Sequence, residues 1–159
     1  MAAQDSQNLY KPYLHGGLMI IPCIAQAAPV PATATSAGVD LRANIPNPLR
    51  ILPGAVRRIP TGLQVELPPG TVGMVCPRSG LALNHQLTVI NAPGLIDPDY
   101  RGEVGVVLIN HGTTPYVVEP DERVAQLIVL KAEALEFVVV PVLSQTNRGA
   151  GGFGSTGST

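Results

Sequence analysis

From residue 18 onward the chain is a succession of short apolar runs separated by turn residues. Residues 39–43, 55–59, 63–67, 71–76, 87–90 and 104–109 form such runs, with Asn-Pro, Leu-Pro-Gly, Pro-Pro-Gly and Asn-His-Gly-Thr-Thr-Pro between them. Runs of this length bounded by Gly and Pro predict strands. Leu63, Val65 and Leu67 alternate with Gln64 and Glu66, the period of a strand with one buried and one wet face. Residues 18–27 predict a buried strand, and the stretch 29–36 a loop stiffened by Pro29 and Pro31. The segments 123–130 and 137–142 are denser in aliphatics and predict strands covered on both faces, the cover coming from this chain or from another subunit. Only residues 79–84 suit a helical turn or two. The whole pattern predicts an all-β fold: residues 1–16 as a flexible extension, 17–145 as one β domain, and 146–159 as a flexible Gly-rich arm.

Composition narrows the picture. At 159 residues the chain suits one domain, and 17 Gly with 16 Pro exclude a bundle of long helices. Aromatics make up 4% with no Trp, so Val, Leu, Ile and Ala must build the core. A formal net charge of −1 argues against binding long nucleic acid. A compact anion remains compatible, because eight of the ten basic residues are Arg, whose planar fork matches phosphate or carboxylate. Cys23 and Cys76 lie far apart in apolar settings and are expected as buried small hydrophobes in a reducing compartment. No apolar run is long enough to span a membrane and no signal-like start is present, so a soluble cytoplasmic protein is expected.

Five segments carry candidate chemistry. The tail Arg148-Gly-Ala-Gly-Gly-Phe-Gly-Ser-Thr-Gly157 has the composition of a phosphate clamp: glycines admit close backbone approach, Ser155 and Thr156 add hydroxyls, and Arg148 adds a charged fork. A plain linker has a similar composition, but Phe153 among glycines has no core to join and suits stacking on a base. Pro77-Arg78-Ser79-Gly80 presents a guanidinium beside a hydroxyl, or else an N-cap serine beside a surface arginine. In Asn91-Ala-Pro-Gly-Leu-Ile-Asp97-Pro-Asp-Tyr100-Arg-Gly-Glu103, Asp97 follows two aliphatics and suits either a general base for water or an Asx turn before Pro98. Asp40 interrupts an apolar strand and needs a partner, a water or a cation, and Arg42 points to the opposite face. Gln126, inside an apolar strand, likewise demands a hydrogen-bonding partner. The histidines show no metal-ligand spacing, and no Cys-x-x-Cys, His-Glu-x-x-His or Gly-x-Ser-x-Gly occurs, which disfavours zinc chemistry and Ser-His-Asp hydrolysis.

In order and spacing, Ala37-Gly-Val-Asp-Leu-Arg-Ala43, Pro77-Arg-Ser-Gly-Leu-Ala82, Gly94-Leu-Ile-Asp-Pro-Asp-Tyr-Arg-Gly102, Arg123-Val-Ala-Gln-Leu127 and the tail 148–157 resemble the five motifs of the homotrimeric dUTPases. The resemblance spans roughly residues 17 to 157, and Ile59-Pro-Thr-Gly-Leu63 extends it. It implies a β jelly roll of the β-clip kind with a short helix, three copies sharing their active sites, and Mg²⁺-dependent hydrolysis of dUTP to dUMP and pyrophosphate. That reaction would limit uracil in DNA and supply dUMP for thymidylate synthesis. Carried over by position, Asp97 activates the water that attacks the α-phosphorus, and Asp40 lies near that water and the hydrated metal. Tyr100 packs under the deoxyribose, while Asn91 and Gly94 belong to the hairpin that reads uracil. Arg78, Ser79, Gly80 and Gln126 contact phosphates. Arg148, Ser155 and Thr156 close over the γ-phosphate with Gly154, and Phe153 stacks on the base.

Two other readings stay in view. A dCTP deaminase shares the implied fold but does not normally carry the Phe-Gly-Ser-Thr tail. A non-catalytic nucleotide-binding protein on the same scaffold would have no reason to keep every reactive group.

Overall fold

A computed structural model describes residues 14–15 and 18–152. In chain order the elements are β1 (Leu14–His15), β2 (Leu18–Met19), β3 (Cys23–Ile24), β4 (Val39–Arg42), β5 (Leu49–Ile51), β6 (Val56–Pro60), β7 (Gln64–Val65), β8 (Thr71–Cys76), one helix α1 (Ser79–His85), β9 (Leu87–Val89), β10 (Gly94–Ile96), β11 (Gly105–Asn110), β12 (Tyr116–Val118) and β13 (Arg123–Lys131). Every pairing is antiparallel. A four-stranded sheet runs β10-β8-β13-β4, a three-stranded one β6-β11-β9, and three two-stranded ribbons pair β12 with β5, β3 with β7 and β1 with β2.

The two central strands show why the sheets enclose one core. In β8, Thr71, Gly73 and Val75 point inward and alternate with half-buried Val72, Met74 and Cys76. In β11, Val106, Leu108 and Asn110 do the same. The inward sets meet Leu41, Ile51, Ile59, Leu67, Leu87, Val118 and Val124 in a single buried cluster. The β-branched and leucine character expected from the composition is therefore what fills the interior. Leu63, Val65 and Leu67 are buried and Gln64 and Glu66 are not, as their alternation predicts. Among the described residues no helix is long and apolar enough to cross a membrane.

The structure corrects several expectations. Residues 18–27 are not one buried strand: β2 and β3 are two residues each, and Leu18, Ile20 and Ile24 are exposed. Pro22 interrupts the run, and β3 finds only the two-residue β7 as its partner. Cys23 is consequently exposed rather than buried, and Cys76 is half-buried. Residues 137–142 form no strand, and Phe137 is 90% exposed. Aliphatic content supplies a face to bury, but a strand also needs a neighbour's ladder, and none of the described strands offers one to this segment. The helix begins one residue earlier than a serine cap requires: Arg78 holds the cap position without a side-chain cap bond, and Ser79 is the first helical residue. Two strands, β5 and β12, fall in segments whose composition reads as turn.

Polar groups tie these late strands to the core. The buried Asn110 amide donates to the Ile51 and Thr114 carbonyls, at 3.0 and 2.8 Å, and its Oδ1 accepts from the Gly112 N–H at 2.8 Å. Tyr116 donates its phenol to Glu122, whose other oxygen accepts the Glu119 N–H at 2.9 Å. The His85 ring meets Tyr116 edge-on at 5.0 Å, which seats the end of α1 against β12. Burial, and then the hydrogen bond to the Glu122 carboxylate, push the Tyr116 phenol well above its ordinary value of 10.0. Its proton is held more tightly in the folded chain than in the unfolded one. The linked stability is therefore fully present below pH 10.0 and falls as the pH rises beyond it. Replacing Tyr116→Phe strands a partly buried carboxylate oxygen and should cost about 1–3 kcal/mol in urea unfolding at pH 7. The same variant should lose the decline that the wild-type tyrosine contributes above pH 10.0.

Candidate active site

Strand β13 assembles the first cluster. It lies between β4 and β8, so that Gln126 stands opposite both Asp40 and Cys76. A bulge between Arg123 and Ala125 makes two consecutive residues, Val124 and Ala125, face the core. Arg123 and Gln126, three apart, thereby share the outer face with Asp40, which strict alternation would forbid. The Asp40 carboxylate meets Arg78 Nε at 3.1 Å through Oδ1 and Arg123 Nη1 at 3.3 Å through Oδ2. Arg78 Nη1 also donates to the Arg123 carbonyl at 3.2 Å. Gln126 donates an amide N–H to the Pro77 carbonyl at 2.9 Å, fixing the chain that leads into α1. Asp40 and Gln126 thus find the partners their strand positions demand, and Arg42 turns away to Asp121 at 2.9 Å. Two guanidinium groups around one carboxylate leave a net positive charge, with Ser79 and Gly80 exposed beside it.

The hairpin segment 91–103, which contains β10, builds the second cluster. Asn91, Gly94, Asp97 and Tyr100 line a pocket of about 270 Å³ together with Val75, Ile96, Arg58 and Glu103. The Asn91 amide lies across Gly94, where an added Cβ would stand 3.1 Å from its Nδ2. Tyr100 N–H donates to the Asp97 carbonyl at 3.1 Å, closing the turn, and its hydroxyl donates to the Glu103 carbonyl at 3.0 Å. The ring folds over Gly102, where any Cβ would collide with the hydroxyl. Among the described residues no donor engages the exposed Asp97 carboxylate, which leaves both oxygens open to water.

Arg58 and Glu103 are the pocket residues that sequence reasoning missed. Glu103 closes the quoted hairpin segment and could have been singled out there. Arg58 comes from β6, and only the β6–β11 pairing brings it alongside.

The expected site residues fall into two groups. Asp40, Arg78, Ser79, Gly80 and Gln126 gather at one end of the four-stranded sheet, while Asn91, Gly94, Asp97 and Tyr100 gather in the hairpin pocket. Among the described residues no hydrogen bond or ion pair joins the groups, and the hairpin pocket is lined by none of the first group. Arg148 is exposed and donates through Nε to the Gly151 carbonyl at 2.9 Å, within its own turn. Phe153, Gly154, Ser155 and Thr156 lie outside the described residues.

A family model described as dUTPase matches residues 25–157, nearly the entire β domain and the Gly-rich arm. The chain belongs to the dUTPase family. As a dUTPase it is an enzyme, a dUTP diphosphatase. Solved dUTPases agree in fold. The Staphylococcus bacteriophage 80alpha dUTPase with dUpNHpp superposes with a TM-score of 0.78 at 24% identity, covering 86% of this chain and 98% of the phage protein. A variant dUTPase from phage phi11 of S. aureus, whose structure is described as showing the coordination of a structural Mg(II) ion, gives a TM-score of 0.68 at 20% identity over 77% of this chain and 97% of its own. The β-clip jelly roll expected from the sequence is the fold observed.

The Asp40 cluster carries its own prediction. Asp40→Asn leaves two neighbouring guanidinium groups uncompensated and should cost about 1 kcal/mol in denaturant unfolding at low salt. The deficit should shrink in 1 M salt, where the Debye length falls to about 3 Å.

Proposed function

We propose that the hairpin pocket binds the deoxyuridine of dUTP and that the Asp40–Arg78 cluster of another copy receives its triphosphate. Asp97 supports this most directly: a carboxylate with open oxygens at the rim of a small pocket has the geometry of a base that takes a proton from water. The water attacks the α-phosphorus, the bond to the bridging oxygen breaks, and dUMP and pyrophosphate leave. Asn91 and the backbone around Gly94 offer hydrogen-bonding groups to the uracil edge, and Tyr100 offers a ring face to the sugar. Arg78, already oriented by Asp40 and by the Arg123 carbonyl, presents a charge to phosphate oxygens, with Ser79 and Gly80 beside it. Gln126 keeps a second amide N–H for the same purpose. Phosphoryl transfer rests mainly on positioning and charge neutralisation, so these groups suffice without a covalent nucleophile.

Mg²⁺ fits the chain as an ion carried by the triphosphate. No group of three or more His, Cys, Asp or Glu side chains among the described residues could cage it. Asp40 already faces Arg78 and Arg123, which suits contact through the ion's water shell. When bound, the ion offsets phosphate charge.

The separation of the two clusters within one chain favours sites shared between copies, and a homotrimer supplies them. The exposed aliphatic face at residues 135–143 fits burial against a neighbouring copy. The arm at 146–159 then closes over the nucleotide, with Arg148, Gly154, Ser155 and Thr156 on the γ-phosphate and Phe153 on the base.

Asp97→Asn tests the central role. It should keep nucleotide affinity and assembly while lowering kcat by roughly 10²–10⁴-fold, the usual size of a general-base contribution. Wild-type turnover in that variant would remove Asp97 from the reaction. Truncation after residue 145 should depress kcat/KM strongly with little change in Tm. An unchanged kcat/KM would show the arm to be a tether.

A further inference from the structure

We infer that Arg58 and Glu103 form a positioning pair that sets the tilt of Tyr100 and, through it, the preference for deoxyribose over ribose. The inference rests on the reading above, in which Tyr100 faces the sugar.

Tyr100 is held by little. It is 42% exposed, and its hydroxyl makes one bond, to the Glu103 carbonyl at 3.0 Å. The position of Glu103 therefore dictates where the ring stands. Glu103 is in turn fixed by its own side chain: Oε1 accepts the Gly62 N–H at 2.7 Å, and Oε2 faces Arg58 Nη2 at 3.4 Å. The carboxylate thus bridges the turn before β7 and the strand β6, and it adds a side-chain anchor to the peptide that the Val104 N–H already ties to the Leu63 carbonyl at 2.8 Å.

Arg58 has a prepared seat. It pairs with Val107 on β11, and its side chain crosses to the glycine two residues away. A Cβ at Gly105 would lie 2.5 Å from Arg58 Nε and 2.9 Å from both Cζ and Nη2, so the guanidinium rests directly on the bare Cα. Only glycine at 105 admits that contact, and it places Arg58 in the pocket wall with Asp97 and Asn91. A pair this exposed, at 56% and 30% for the two side chains, contributes little to global stability. Its effect is on placement. Rejection of a 2′-hydroxyl is a matter of contact distance, and a small displacement of the ring relaxes it.

The test compares kcat/KM for dUTP and UTP in Arg58→Leu, Glu103→Gln and Gly105→Ala, the last of which removes the seat while keeping both charged partners. Each should lower the dUTP-to-UTP ratio by about tenfold or more, equivalent to losing one modest contact. The change should appear chiefly as a lower KM for UTP, with Tm close to wild type. Arg58→Lys, which keeps the charge without the flat fork, should recover part of the ratio. Tyr100→Leu serves as the reference and should lose discrimination outright. If Tyr100→Leu changes the ratio and the three other variants keep it at the wild-type value, the positioning pair is refuted while the sugar platform stands. If Tyr100→Leu also leaves the ratio unchanged, the platform itself is refuted and the pair falls with it.

Discussion

The pairing of β13 with β4 on one side and β8 on the other is the constraint from which the chemistry follows. Strand registers are stiff here because one face is buried, and a slip of one residue would send Leu127 to solvent and Gln126 into the core. With that register, Gln126 aligns with Asp40 and with the end of β8, from which Pro77 and Arg78 emerge. The bulge before Ala125 adds what plain alternation cannot, a second outward residue three positions away. Arg123 then reaches Asp40, and a carboxylate that would be costly on an apolar strand becomes the anchor of two guanidinium groups. A cluster of net positive charge is thus built at one end of a hydrophobic sheet.

The hairpin segment that contains β10 follows a different logic. Its polar groups are held by backbone contacts and by close approaches over glycines, which makes a small, shaped pocket rather than a charged one. Shape suits the discrimination of a base and a sugar, whereas charge suits the triphosphate. Their separation in one chain is consistent with an enzyme completed by its neighbours, each copy lending its pocket to one partner and its arginines to another.

Much of this was legible in the sequence because it depends on local rules. Period two located Leu63, Val65 and Leu67 in the core, and residues 71–76 stand as β8 without adjustment. The need of Asp40 and Gln126 for partners followed from polarity in an apolar strand, and the structure supplies those partners. What was hidden depends on distant pairing. Arg58 looks like a surface arginine until β6 meets β11, and residues 137–142 look like a strand although no described neighbour extends a ladder to them. Cys23 illustrates the same limit, since an apolar local setting predicts burial that two-residue strands do not deliver.

Subunit mixing tests the divided site most directly. Asp97→Asn disables only the pocket half and Arg78→Ala only the phosphate half, so each protein alone is inactive. After the two are unfolded and refolded together in equal amounts, random assembly should leave about a quarter of the shared sites with both halves intact, and dUTP hydrolysis should return to about that fraction. Verified co-assembly with no recovered activity would mean that both halves belong to the same copy, contradicting the account.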